Sequence, residues 1–330
     1  MVPNINRLSR AGSPRRKRAA SACLVALTLL TGLLAGCAPS GTESVRVKPA
    51  AQPVYPQVKT DPSIPVTENV VYGTADAAPL TLDICFPKAA TDGTAEQSPR
   101  PALLAVHGGS WRAGDKSDVN WRAVCQWLAG NGFITFSVNY RLAPQYAFPA
   151  QIDDVRTAVR WLRDPAQVTR YNIDPKRIGA FGGSAGGNLA ALLGTDGEGS
   201  TTTGDRIAAV VDLSGPTDLT AAGLGLGTTP PAFQQVELEY LGCTSFGDCP
   251  QARDASPRYQ VDSSDPPFFI GQSLNERIPK PQSDALVAAL RKAGVDTTYV
   301  TVKGTRHSIA MLNDELRSRI VDFLHAHLGN

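Results

Sequence analysis

Residues 177–190, RIGAFGGSAGGNLA, constrain the fold of this chain more than any other stretch. An apolar strand-like run meets an alanine- and leucine-rich helix-like run, and only one serine separates them. Ser184 stands between Gly182 and Gly186 in the pattern Gly-x-Ser-x-Gly. A strand that turns into a helix this abruptly brings the two backbones too close for side chains at the flanking positions. The same turn presents Ser184 at a helix N-terminus, where N–H groups and the helix dipole stabilise developing negative charge. Strand, turn and helix in this order predict a nucleophilic serine.

The rest of the chain supplies a frame for such a turn. VTENVVYG and LTLDICFP read as two hairpin-like strands, and PALLAVHGG as a buried parallel strand ending in glycines. Beyond it, WRAVCQWLAGNG predicts a helix, FITFSVNY a strand and QIDDVRTAVRWLRD an amphipathic helix. After the serine turn come the strand IAAVVDLSG, the strand PPFFIGQS, the helix SDALVAALRKAG, the strand TTYVTVKG and the helix LNDELRSRIVDFLHAHL. Alternation of this kind predicts an α/β fold with a mostly parallel twisted sheet of about eight strands and helices on both faces. Residues 219–262, rich in Gly and Pro, interrupt it as a small cap-like insert, expected over the carboxyl edge of the sheet, where open sheets bind ligands.

The first 36 residues do not belong to this pattern. They carry Arg7, Arg10, Arg15, Arg16, Lys17 and Arg18, no acidic residue, and then the apolar run AASACLVALTLLTGLLAG. A basic segment, a short apolar segment and small residues before a cut predict an export signal. Leu34, Ala35, Gly36 and Cys37 resemble the box of bacterial lipoproteins, which implies that Cys37 is lipidated and becomes the mature N-terminus. Residues 37–64, rich in Pro, Ser, Ala and Thr, then read as a flexible tether, with the domain at 65–330. The expected location is the extracytoplasmic face of a membrane. Of 32 basic residues the leader holds six, so the mature chain has 26 against 30 acidic, a net charge of −4. That leaves no basic stripe for nucleic acid. Among the remaining cysteines, Cys243 and Cys249 flank a five-residue loop and are expected to pair; Cys85 and Cys125 are either a second bridge or two buried thiols. None has the spacing of a metal site.

A serine hydroxyl needs a base and a place for the oxyanion. His307 in KGTRHSI, after the last strand, is the candidate base; His325 and His327 lie on the closing helix, and His107 shapes its own loop. The loop HGGSW supplies candidate oxyanion donors in the N–H groups of Gly109 and Ser110, joined by that of Ala185 after the nucleophile. Together HGGSW, NYRLAPQYAFPAQIDDV, GGSAGGNLA, DPPFFI and GTRHS resemble the α/β-hydrolase fold in its esterase and lipase branch. The resemblance is to the hormone-sensitive-lipase-like and BD-type acetylxylan and feruloyl esterase-like enzymes, over residues 66–328. It implies hydrolysis of a small-molecule or glycan-linked carboxylic ester through an acyl-enzyme, with no metal or organic cofactor.

One position departs from that family. Its acid lies after the penultimate strand, four residues before a Val-Pro or Ile-Pro; here the segment is FFIGQSLNERIPKPQ and the matching residue is Asn275, with Glu276 next to it. Glu276 is the expected acid. Asn275 itself and Asp218, after the preceding strand, are the alternatives for the slot. Asp153 and Asp154 are expected to hold the helix that follows YAFPAQ. An acyltransferase or amidase on the same machinery, or a catalytically impaired hydrolase-fold binding protein, stays open beside the esterase reading.

Overall fold

A computed structural model of the chain describes residues 58–88 and 98–329. The expected leader, Cys37 and the tether up to residue 57 lie outside the described residues. In chain order the elements are β1 (Val66–Ala75), β2 (Ala78–Cys85), β3 (Arg100–Val106), α1 (Val119–Gly130), β4 (Ile134–Val138), α2 (Ala150–Leu162), α3 (Pro165–Tyr171), β5 (Ile173–Gly183) and α4 (Ala185–Thr195). They continue as β6 (Ala209–Leu213), α5 (Pro231–Leu241), α6 (Gln251–Asp254), β7 (Phe268–Ser273), α7 (Lys280–Ala293), β8 (Thr297–Val302) and α8 (Asp314–Leu328).

The eight strands form one sheet in the order β1-β2-β4-β3-β5-β6-β7-β8. β1 and β2 are a hairpin whose two turn residues, Asp76 and Ala77, both have positive φ, as a two-residue turn matched to strand twist demands. β2 runs antiparallel to β4, and every later pairing is parallel. The central strands are buried along nearly their whole length, which explains their continuous apolar runs without alternation. Val124 and Leu128 of α1 pack with Ile320 and Leu324 of α8 in one cluster. Val155 of α2, Leu189 of α4 and Leu286 of α7 belong to another.

The cysteines form two bridges. Cys243–Cys249 closes a short loop in the insert, and Cys85–Cys125 joins the end of β2 to α1. The longer loop gains more by chain entropy, about 4 kcal/mol against about 2. Ile64, the last residue of the expected tether, is buried against Cys85, Cys125 and Ala129. Among the described residues no helix is long and apolar enough to cross a membrane.

Parallel pairing puts the carboxyl ends of β3, β5, β6, β7 and β8 along one edge. The loops that leave this edge carry Ser110, Glu276 and His307, and the turn after β5 carries Ser184. The insert packs there too: Tyr240 of α5 stacks on Trp111 of the loop after β3, ring centroids 4.2 Å apart and nearly parallel.

Candidate active site

Ser184 occupies the one-residue turn between β5 and α4 with φ 59° and ψ −125°, a backbone that L-residues rarely adopt and that surrounding packing must hold. A Cβ on Gly182 would lie 2.0 Å from the carbonyl oxygen of Gly186, and one on Gly186 would lie 2.0 Å from that of Val106. Both glycines are therefore steric necessities, as the sequence pattern required. The turn is anchored by the Ser184 N–H donating to Leu213 O at 2.9 Å.

His307 lies on the loop between β8 and α8. Its Nδ1 pairs with Oε2 of Glu276, whose side chain is fully buried. Its Nε2 is buried and makes no hydrogen bond. The ring and Ser184 line one pocket of about 490 Å³, together with Gly108, Gly109, Ser110 and Arg277. A base oriented on one side and unpartnered on the other, lining the same cavity as the serine, is arranged to take and return a proton.

The other oxygen of Glu276 is fully engaged. Oε1 accepts from Ser214 Oγ at 2.5 Å, Gln272 Nε2 at 2.9 Å and the Ser273 N–H at 3.3 Å. Ser214 also accepts the Ser308 N–H at 3.1 Å, so one buried hydroxyl bonds the acid and the residue after the histidine. Gln272 is fixed in turn by Ser283 and by the Ile278 carbonyl. Nothing in the local sequence marks Ser214 or Gln272. Their position at the ends of neighbouring strands is the only signal, and it requires the sheet order.

The two alternatives for the acid slot are not brought to His307. Asn275 is exposed, and its backbone N–H donates to Gly304 O. The chain turns so that the next residue points inward, and a glutamate's longer arm reaches the imidazole. Asp218 is committed to the insert: it receives Arg258 at 2.8 Å, Tyr259 at 3.0 Å and the hydroxyl of Thr220 at 2.6 Å.

Gly109 and Ser110 line the pocket beside Ser184, with φ 124° and 57°. A Cβ on Gly109 would lie 1.9 Å from Ala113 O, so that turn also demands glycine. Ala185 is the first residue of α4, where the N–H has no intrahelical acceptor. Trp111 locks the loop from behind, its Nε1 donating to Asn188 of α4 at 3.2 Å. His107 is buried and stacked on Tyr140, its Nδ1 against Gly108 O, and burial lowers its pKa. It supports the loop and lies outside the pocket lining. Asp154 is buried in a multiple contact with Arg141, and Asp153 pairs with Arg156 on the helix surface.

Asp212, at the end of β6, is buried near this network. Oδ1 accepts the Gly215 N–H at 2.8 Å, and Oδ2 has no partner. Burial, against the Gly215 hydrogen bond and with the charge of Glu276, pushes its pKa up to about 7.

Comparison with known proteins gives the same architecture. The BD-FAE family model matches residues 82–290. Esterase LipC of Mycobacterium tuberculosis is 33% identical over 230 residues, 65% of this chain and 54% of that protein. Arylacetamide deacetylase of Bos taurus is 38% identical over 127 residues, 38% of this chain and 31% of the relative. The matched region thus spans about half the length of the mycobacterial relative and about a third of the bovine one. Among solved structures, a truncated carbohydrate esterase from gut microbiota superposes with a TM-score of 0.66 at 25% identity, covering 84% of this chain and 99% of that one. A thermophilic esterase of Thermogutta terrifontis shares the fold, with a TM-score of 0.61 at 24% identity over 80% of this chain and 91% of its own.

Proposed function

The chain belongs to the BD-FAE family, and from that premise we propose that it hydrolyses carboxylic esters through an acyl-enzyme on Ser184. Ser184 attacks the ester carbonyl while His307 Nε2 takes its proton. The N–H groups of Gly109, Ser110 and Ala185 hold the oxyanion; one such donor contributes on the order of 3 kcal/mol to the transition state. His307 then protonates the leaving alcohol, and water, activated by the same nitrogen, releases the acid. Glu276 fixes the tautomer with Nδ1 protonated and stabilises the imidazolium. The substrate class is a small-molecule or glycan-linked ester.

The observation that carries this reading is the pocket shared by Ser184 and the unpartnered Nε2 of a histidine whose Nδ1 is paired to a buried carboxylate. The test is labelling with a fluorophosphonate probe alongside release of acid from short-chain aryl esters. Wild-type protein is expected to label and to turn over, and Ser184→Ala to do neither. An unlabelled wild type makes this a hydrolase-fold binding protein. Acyl transfer to an added alcohol that outpaces hydrolysis makes it an acyltransferase.

The location is part of the same proposal. The export signal and the box ending at Cys37 support a mature chain held on the outer face of a membrane by lipid on Cys37. Detergent phase partitioning is expected to retain wild-type protein, and Cys37→Ala to leave uncleaved or soluble protein. A lipid-free Cys37→Ala chain, cleaved of its leader, that stays with the membrane as wild type does refutes the lipid anchor.

A further inference from the structure

The catalytic pocket carries a guanidinium that the reaction does not use. Arg277 follows Glu276 directly, on backbone held from both sides. Glu276 is pinned through both carboxylate oxygens, and Ile278 is buried with its carbonyl bound to Gln272. Between these fixed neighbours the Arg277 side chain is exposed and lines the pocket with Ser184 and His307. Among the described residues no carboxylate pairs with it. Several other arginines near this edge are paired: Arg112 with Glu239, Arg258 with Asp218, Arg122 with Glu68 and Asp83.

The remaining walls are of two kinds. Val119, Trp121 and Ile309 are apolar, and Val119 is 68% exposed at the pocket. Asp118 is the other charged residue on the lining, and its carboxylate accepts the Asp115 N–H at 3.1 Å while making no cap to the first turn of α1. The pocket therefore offers one cationic fork of N–H donors, set on rigid backbone next to the acid. A guanidinium binds a planar carboxylate through two parallel hydrogen bonds, a geometry that neutral ester groups do not match.

We propose that this site favours esters that themselves carry a carboxylate, and that Arg277 is the group that recognises it. The inference rests on the ester-hydrolase reading and adds the charge of the substrate to it. The carboxylate can belong to the acyl part or to the alcohol part of the ester, and two matched pairs of substrates distinguish these sources. For the acyl side the pair is the para-nitrophenyl monoester of glutaric acid and the corresponding ester of glutaramic acid. For the alcohol side it is para-acetoxybenzoate and para-acetoxybenzamide. Within each pair the members differ in charge and hardly in shape.

The quantity read is the ratio of kcat/KM for the carboxylate to that for the amide. In wild-type protein one pair is expected to show a ratio of about two to five, the size of a solvent-accessible charge contact, and added salt should shrink it. Arg277→Gln should bring that ratio to near one, and Arg277→Glu should invert it through repulsion. Asp118→Asn should raise it, because it removes the opposing charge from the same wall. Ratios near one in both pairs for wild-type protein, or ratios that Arg277→Gln leaves in place, overturn the inference while leaving the hydrolase reading intact. No turnover of any of the four substrates overturns both.

Discussion

At the level of single residues, the acid is where local pattern and tertiary geometry part. Ser184 is legible because its turn needs glycines at fixed offsets, and His307 because it follows the last strand. Family spacing points to Asn275, yet it is exposed and Glu276 carries the carboxylate to the imidazole. What makes Glu276 suitable is the set of donors on Oε1, and those come from strands β6 and β7, outside the reach of any local motif. If this assignment is right, Glu276→Gln should lower kcat by about 10²- to 10⁴-fold with little change in KM, whereas Asn275→Ala should do far less. Ser214→Ala provides the sharper test of positioning. Deleting a hydrogen bond to a charged group costs about 1.5–3 kcal/mol, or roughly 10- to 100-fold in kcat. A positioning role predicts that the loss falls on kcat with little change in KM, because the hydroxyl touches the acid and not the substrate. A Ser214→Ala enzyme with unchanged kcat would show that the hydroxyl serves packing alone.

At the level of elements, legibility followed how locally each one is stabilised. The parallel strands stand out because burial on both faces leaves long apolar runs, and α2, α7 and α8 because they alternate buried and exposed faces. The seven-residue α3 is too short for periodicity; its visible signal is Asp164, which caps the Ala166 N–H, followed by a proline at the first turn. The helices inside the insert were unreadable for a different reason. α5 has no strong apolar face of its own; its key contacts are Tyr240 on Trp111 and the Tyr240 carbonyl accepting from the Phe148 N–H. Its partners lie about ninety or more residues away in sequence, so its register follows from the sheet edge already being formed. The same dependence explains Asp218: as an isolated residue it resembles an acid after a strand, but the insert supplies Arg258 and Tyr259 to occupy it.

At the level of the whole molecule, the buried carboxyls set how stability responds to pH. Burial raises Asp212 to about 7, Glu237 to about 8 and Asp265 to about 6. In an unfolded chain these groups ionise near their ordinary values of 3.8 and 4.5. Between those limits the native state binds more protons than the unfolded state, so stability must fall as pH rises. For Asp212 the contribution is complete below about pH 4 and is lost as pH climbs through about 7. Asn is the informative replacement. Its amide oxygen can keep the bond from the Gly215 N–H, and its NH₂ stands where the protonated oxygen stood, while no charge can form at high pH. The Tm difference between Asp212→Asn and wild type should therefore be small at about pH 5 and clearly in favour of the variant at about pH 8. A difference independent of pH across that interval would mean that Asp212 is already ionised in the native state. The unpartnered Oδ2 would then need a donor, and a negative charge would have to persist beside Glu276.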